Sequence, residues 1–152
     1  MTTHVPGTRP RPIVNRCLKT ALAEEMGNAR AAYAARDDEV ALCHFERAHI
    51  LSQRYFAAHW VTHWWMLKLG IRRADRREIH GQMLRLIAVI PGYISGWVPK
   101  GNTGGADVSA IKPMPVPEDL EALLQDYSVT RDVAVRLLLA VLAALATPVL
   151  LR

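Results

Sequence analysis

The chain has 152 residues, of which 51% are apolar and 22% charged. That is enough for one domain with its own core, and it excludes a wholly disordered chain. The net charge of +5 is a modest basic bias gathered at Arg72, Arg73, Arg76 and Arg77, and two cysteines, Cys17 and Cys43, cannot make a disulfide framework. Both cysteines are expected to be reduced thiols in a cytoplasmic protein, with Cys43 a small buried hydrophobe.

Residues 1–12 carry three prolines and no apolar signal segment, and read as an irregular arm. A helical domain is expected over 13–126. Its first helix runs over about 14–35, where Leu18, Ala21, Leu22, Met26, Ala29 and Tyr33 recur at three- and four-residue spacing. Arg36-Asp37-Asp38 breaks that helix and can cap a second over 39–53. The face Ala41, Phe45, Ala48, Ser52 is small-large-small and suits close antiparallel packing. The stripe Glu46, His49, Gln53 is polar. A third helix over 55–69 is rich in aromatics (Tyr55, Phe56, Trp60, Trp64, Trp65), carries His59, His63 and Met66 on one side, and stops at Gly70. Asp75 can cap a fourth helix over 76–90, with Ile79, Met83, Leu86, Ile87 and Ile90 facing inward and Pro91-Gly92 ending it.

The resulting fold class is all-α: two antiparallel helical hairpins, either tetratricopeptide-like or a four-helix bundle. Arg36-Asp37-Asp38 and Arg73-Ala74-Asp75 hint at a repeat, but the Trp-Leu-Gly-Tyr pattern of a tetratricopeptide first helix is missing. Periodicity then vanishes over a long Gly/Pro-rich loop, 92–117, and loops of that length are usually functional or disordered. A short helix follows from 117. Residues 128–152 read as a hydrophobic C-terminal helix, with Arg136 and Thr147 the only polar side chains from 133 to 151. Its length is marginal for a bilayer and the arginine is costly there. It covers the hairpins, joins a homodimer partner, or attaches the protein to the inner membrane.

Four of the six histidines (His44, His49, His59, His63) fall within twenty residues. Glu46 and His49 are three apart and His59 and His63 four apart, so each pair shares one helix face. Adjacent helices could converge these four side chains on one divalent transition metal, Zn or Fe. His44 points to another face, and His80 stands apart on the fourth helix. One Glu-x-x-His alone is too few for a di-iron bundle, and His59-x-x-x-His63 lacks the internal glutamate of a zinc peptidase helix. The competing reading is a buried polar network of histidine, glutamate and glutamine.

Gln53, Arg77, Asn102 and Thr103 are the expected supporting or ligand-binding side chains. The loop Lys100-Gly-Asn-Thr-Gly-Gly105 is either an anion nest or, preferably, a tight turn with glycines at positive φ and Asn102 and Thr103 bonding their own backbone. Folded over the histidines, it is a lid. The arginine run is more readily a solvated face than a nucleic-acid contact. Trp60, Trp64 and Trp65 suit core and interface. The expected partner is a small molecule or another protein.

The ordered run His44-x-Glu46-Arg47-Ala48-His49-Ile50-Leu51-Ser52-Gln53, His59-x3-His63, Asp75-Arg76-Arg77-Glu78, Gly81-Gln82, Gly101-Asn102-Thr103-Gly104 and Pro113-Met114-Pro115-Val116-Pro117 resembles a bacterial family catalogued as domain of unknown function 3703. The resemblance spans about residues 18–124. It implies a small helical domain and assigns no activity. The two functional readings are therefore a mononuclear metal site between the second and third helices, for catalysis or metal handling, and a non-catalytic helical scaffold for a protein partner.

Overall fold

The computed structural model describes residues 11–125 and, beyond them, Ser128, Arg131, Ala134, Val135, Leu137, Leu138, Leu139, Val141 and Leu142. Among the described residues the fold is all-helical and has no strand. Its elements are α1 (Arg11–Ala34), α2 (Asp38–Ser52), α3 (Phe56–Arg72), α4 (Arg76–Ser95) and α5 (Glu118–Leu124). α1 packs chiefly on α2 and α3 on α4, while α2 also lies against α3.

The α1–α2 and α3–α4 turns use the same device. Arg36 and Ala74 adopt positive φ, 64° and 53°. The next amide closes back on the finished helix, Asp37 N–H to Ala32 O at 3.0 Å and Asp75 N–H to Gly70 O at 2.9 Å. The Asp37 carboxylate then accepts from Val40 N, and the Asp75 carboxylate from Glu78 N. Each aspartate thus stops one helix and caps the next.

The small-large-small face of α2 is fully buried: Ala41, Phe45, Ala48 and Ser52 are all 0% exposed. Ala48, Ile50 and Leu51 pack with Leu18 and Leu22 of α1 and with Leu120 and Leu124 of α5. Phe45 and Ala41 pack with Ala29, Met66 and Leu69. Burying these side chains is the main favourable term, and the alanines let the helices approach closely.

α4 departs from expectation. Its buried residues are Gln82, Arg85 and Val89, whereas Met83, Ile87 and Ile90 are exposed. The reason is what α4 packs against. Its inner face meets the polar backbone of residues 104–108, and Gln82 and Arg85 satisfy carbonyls there, which an apolar face would leave unpaired. Pro91 does not end α4 either: the helix continues to Ser95 and stops at Gly96, whose φ is +76°. Cys43 is exposed rather than buried, and both cysteines are free thiols. Residues 97–117 form neither helix nor strand.

Among the described residues no helix is long and apolar enough to cross a membrane. Most of the expected C-terminal helix, and the arm over 1–10, lie outside the described residues.

Candidate metal centre

Three imidazoles meet in the interior. His49 comes from the end of α2, and His59 and His63, one turn apart, from α3; they are 3%, 6% and 2% exposed. Their Nε2 atoms form a triangle: His49 to His59 2.7 Å, His49 to His63 3.1 Å, His63 to His59 3.2 Å. Three nitrogens bound tetrahedrally to one zinc lie ~3.3 Å apart, so an ion needs only a few tenths of an ångström of opening.

The hydrogen bonds on the far side of the rings assign the tautomers. His49 Nδ1 faces the main-chain oxygen of Asn102 at 2.8 Å, which can only accept. His63 Nδ1 faces Oε1 of Gln82 at 2.6 Å, and Gln82 Nε2 donates to Gly104 O and Glu78 Oε1. His49 and His63 therefore each spend their single neutral-ring proton at Nδ1, and both present a bare Nε2 lone pair to the triangle. His59 Nδ1 is buried with no partner among the described residues. One imidazole proton at most is left for three nitrogens in contact.

Extra protons are not available to fill that gap. Burial first, then the neighbouring rings, holds His49 well below its usual range. Burial and the neighbouring His63 push His59 down to about 3. Burial takes His63 down to about 4 against the opposing bond to Gln82. All three rings are neutral at pH 7, the form that binds metal. These three buried histidines can hold a metal ion, and their ligand atoms all lie within 4.8 Å of one another.

Residues 99–105 are clamped over the triangle. Gln53 Nε2 donates to Pro99 O (2.9 Å) and Asn102 O (3.2 Å), and its Oε1 accepts from Gly101 N. The Asn102 amide donates to Ser109 O and Lys112 O, both at 2.8 Å, and accepts from Gly104 N at 2.9 Å. Asn102 thus bonds its own loop, as expected. Gly104, at φ +80°, lies flat on the His49 ring, where an added Cβ would sit 2.7 Å from ring atoms. Glycine is required there both by conformation and by space.

Glu46 does not join the histidines. Among the described residues the ligand cluster is His49, His59 and His63. The loop is the cause: Gly104 covers the His49 ring while Gly105 lies against the Glu46 carboxylate, so the two side chains end on opposite sides of it. Glu46 instead lines a separate cavity of about 250 Å³ with Arg77, Glu78 and Asp107. Burial, then the nearby Asp107 and Glu78 charges, raises its carboxyl to about 7, against a hydrogen bond from the Thr103 side chain. Arg77 and Thr103 therefore belong with Glu46, away from the triangle, and Thr103 bonds Glu46. His44 pairs with Glu25 at 2.6 Å, outside the site. Trp65 stacks on Phe45, whereas Trp60 and Trp64 stack on each other while 37% and 41% exposed.

Two residues outside the expected site set lie against the triad: Gln82, which bonds the His63 ring, and Arg85, which shares a cavity of about 320 Å³ with the three histidines. Three apart, they interrupt an otherwise apolar run over 81–90, and Gln82 also falls in the Gly81-Gln82 motif of the family resemblance.

The fold and site together define an all-helical protein with a buried histidine triad beneath a glycine loop. The chain belongs to the family described as protein of unknown function (DUF3703), whose model matches residues 16–124, a span that includes the whole triad and its loop. No curated protein and no solved structure matches it.

Proposed function

We propose that His49, His59 and His63 bind one zinc ion and that the protein uses it catalytically. The observation that carries this reading is the pair of locked Nδ1–H tautomers, which turn buried Nε2 lone pairs toward one another. Without a cation, such an arrangement is electrostatically unfavourable; with one, each lone pair becomes a ligand.

A three-imidazole set favours zinc over iron. The usual non-haem iron triad needs a carboxylate in place of one histidine, and Glu46 is held across the loop. Catalysis is favoured over storage because the triad leaves a fourth position and lines a ligand-sized cavity whose other walls include Val89, Trp97 and Ile111. Zinc there would lower the pKa of a bound water toward neutrality or polarise a substrate oxygen. His49 and His63, held by Asn102 and Gln82, keep the donor set aimed. Apolar side chains, Val89 among them, line the cavity beside the triad. The loop over 99–105 positions His49, and Gln53 holds the loop.

The test is metal content. Protein purified without a histidine tag should carry or take up one zinc per chain. His59→Gln and His63→Gln should abolish that stoichiometric binding while the helical circular dichroism persists. Sub-stoichiometric metal in the wild-type protein after zinc loading would reject the reading.

The scaffold reading draws on a different observation. Trp60, Trp64, Met83, Ile87 and Ile90 leave α3 and α4 with exposed apolar side chains. Such surfaces favour protein partners. A protein with no metal affinity would leave it as the better account.

A further inference from the structure

Among the described residues Arg85 is the one charged side chain lining the triad's cavity, and it is only 9% exposed. It makes one hydrogen bond, from Nη2 to Val108 O at 2.7 Å, and no ion pair among the described residues. A guanidinium carries five N–H donors, so most of its capacity is unused. Burying an unpaired cation costs free energy unless a counter-charge arrives. Glu78 and Asp107 attract the guanidinium from a distance but neither bonds it: Glu78 binds Gln82 Nε2 and Ala106 N, and Asp107 lines the other cavity. The rest of the cavity is largely apolar, with Val89, Pro91, Trp97 and Ile111 among its walls.

A divalent ion on the histidines would add a second cation to the same low-dielectric space. Both cations would then favour an anion in the cavity. The guanidinium fork matches a planar carboxylate with two parallel N–H···O bonds. One guanidinium, with no second cationic side chain among the lining residues, suits a single negative charge better than a phosphate dianion. The volume, about 320 Å³, lies at the small end of ligand pockets, roughly 300–1,000 Å³.

Building on the metal reading, we propose that the cavity binds a small monocarboxylate with an apolar body. Arg85 recognises the carboxylate, the apolar walls take the body, and the metal position is left for the group that reacts. Arg85 is thus a specificity-determining residue.

The experiment compares benzoate and butyrate with their neutral isosteres, benzamide and butyramide, by calorimetric titration of the full chain. It is run on metal-free protein and on cobalt(II)-loaded protein, with Arg85→Met and Arg85→Lys beside wild type. The cobalt absorption bands report the histidine site separately. Wild type should prefer a carboxylate over its amide by about tenfold to a hundredfold. Arg85→Met should lose that preference with the bands of the ligand-free site unchanged, and Arg85→Lys should retain part of it. Equal binding of acid and amide by wild type overturns the proposal, as does a preference that survives in Arg85→Met, since the metal alone would then be holding the anion. If cobalt fails to bind while an Arg85-dependent carboxylate preference persists in metal-free protein, the metal reading fails and the carboxylate assignment stands.

Discussion

His49 donates from Nδ1 to the main-chain oxygen of Asn102, 2.8 Å away and fifty-three residues further along the chain. The same oxygen accepts from Gln53. One backbone carbonyl therefore ties the ring of a candidate ligand to the loop that covers it, and the Asn102 side chain fixes that loop through three further bonds. Replacing Asn102 with Ala leaves Ser109 O, Lys112 O and Gly104 N unpaired. The expected cost is about 2–4 kcal/mol in urea unfolding, taking buried orphaned groups at about 1–3 kcal/mol each and allowing for partial rehydration. Zinc affinity should fall with it.

Gln82 tests the orientation of the His63 ring. Gln82→Leu removes the acceptor that sets the tautomer of His63 while keeping a side chain of similar size. Zinc affinity, measured by competition with a chromophoric chelator, should drop about 10- to 100-fold, the usual effect of losing a partner of a metal-bound histidine. Gln82→Glu keeps the acceptor for His63 but sets its other oxygen against Gly104 O and Glu78 Oε1, so it should be less stable than wild type while binding zinc more tightly than Gln82→Leu. Equal affinities in the two variants would remove Gln82 from the site's machinery.

Two glycine substitutions test opposite expectations. Gly104→Ala must place a methyl 2.7 Å from the His49 ring at a φ of +80°. Strain and displacement together should destabilise the fold by about 2–4 kcal/mol and weaken zinc binding. Gly27 lies exposed inside α1 with nothing within 4 Å of an added Cβ. Gly27→Ala should therefore stabilise by about 0.5–1 kcal/mol, because it removes only backbone freedom from the unfolded chain.

These contrasts show where the sequence was readable. Helical spacing placed His59 and His63 on one face, and the polar stripe of α2 put His49 opposite them. Gln53 and Asn102 were visible as polar residues beside that stripe and in the glycine turn. The spacing that pairs Glu46 with His49 on one helix face says nothing about a loop from fifty residues downstream, whose Gly104 lies on His49 and whose Gly105 lies on Glu46, in the second cavity. The inner face of α4 departs from expectation for a related reason. Apolar residues normally turn inward, but here the loop backbone needs donors, so Gln82 and Arg85 displace Met83, Ile87 and Ile90. Pro91 predicts a stop, yet Gly96 at positive φ provides the C-terminal stop, and the helix continues through the proline to reach it. Long-range backbone demands have no local signature.

The triad also sets an acid limit. His59 and His63 fall from 6.5 to about 3 and about 4 on folding, and His49 moves the same way, in each case chiefly through burial. The unfolded chain therefore takes up protons first as the pH drops below about 6.5. The metal-free protein should hold its full stability above that point and lose a few kcal/mol as the pH falls toward about 3. Midpoints of urea unfolding between pH 7 and 4 measure it. His59→Gln should flatten the slope, and saturating zinc should raise the midpoint at pH 7 more than at pH 5, since protons compete with the metal for the unfolded or opened site.

Glu46 titrates in the opposite sense, and this distinguishes its cavity from the triad. Burial beside Asp107 and Glu78 raises its carboxyl from 4.5 to about 7. The neutral acid therefore suits the folded state, and the group costs nothing below about pH 4.5. Between 4.5 and 7 the unfolded chain gives up this proton more readily than the folded one, so rising pH destabilises the fold. Glu46→Gln keeps an oxygen for the Thr103 hydroxyl and removes the charge. Its stability should match wild type at pH 4, diverge upward through pH 4.5–7, and exceed it by about 1–2 kcal/mol at pH 8, after discounting for solvent screening of a half-buried group. Zinc stoichiometry should remain at one throughout, because the carboxylate lies across Gly104-Gly105 from the three imidazoles. A variant that lost the metal instead would show that the loop moves aside in the loaded protein and brings Glu46 into coordination.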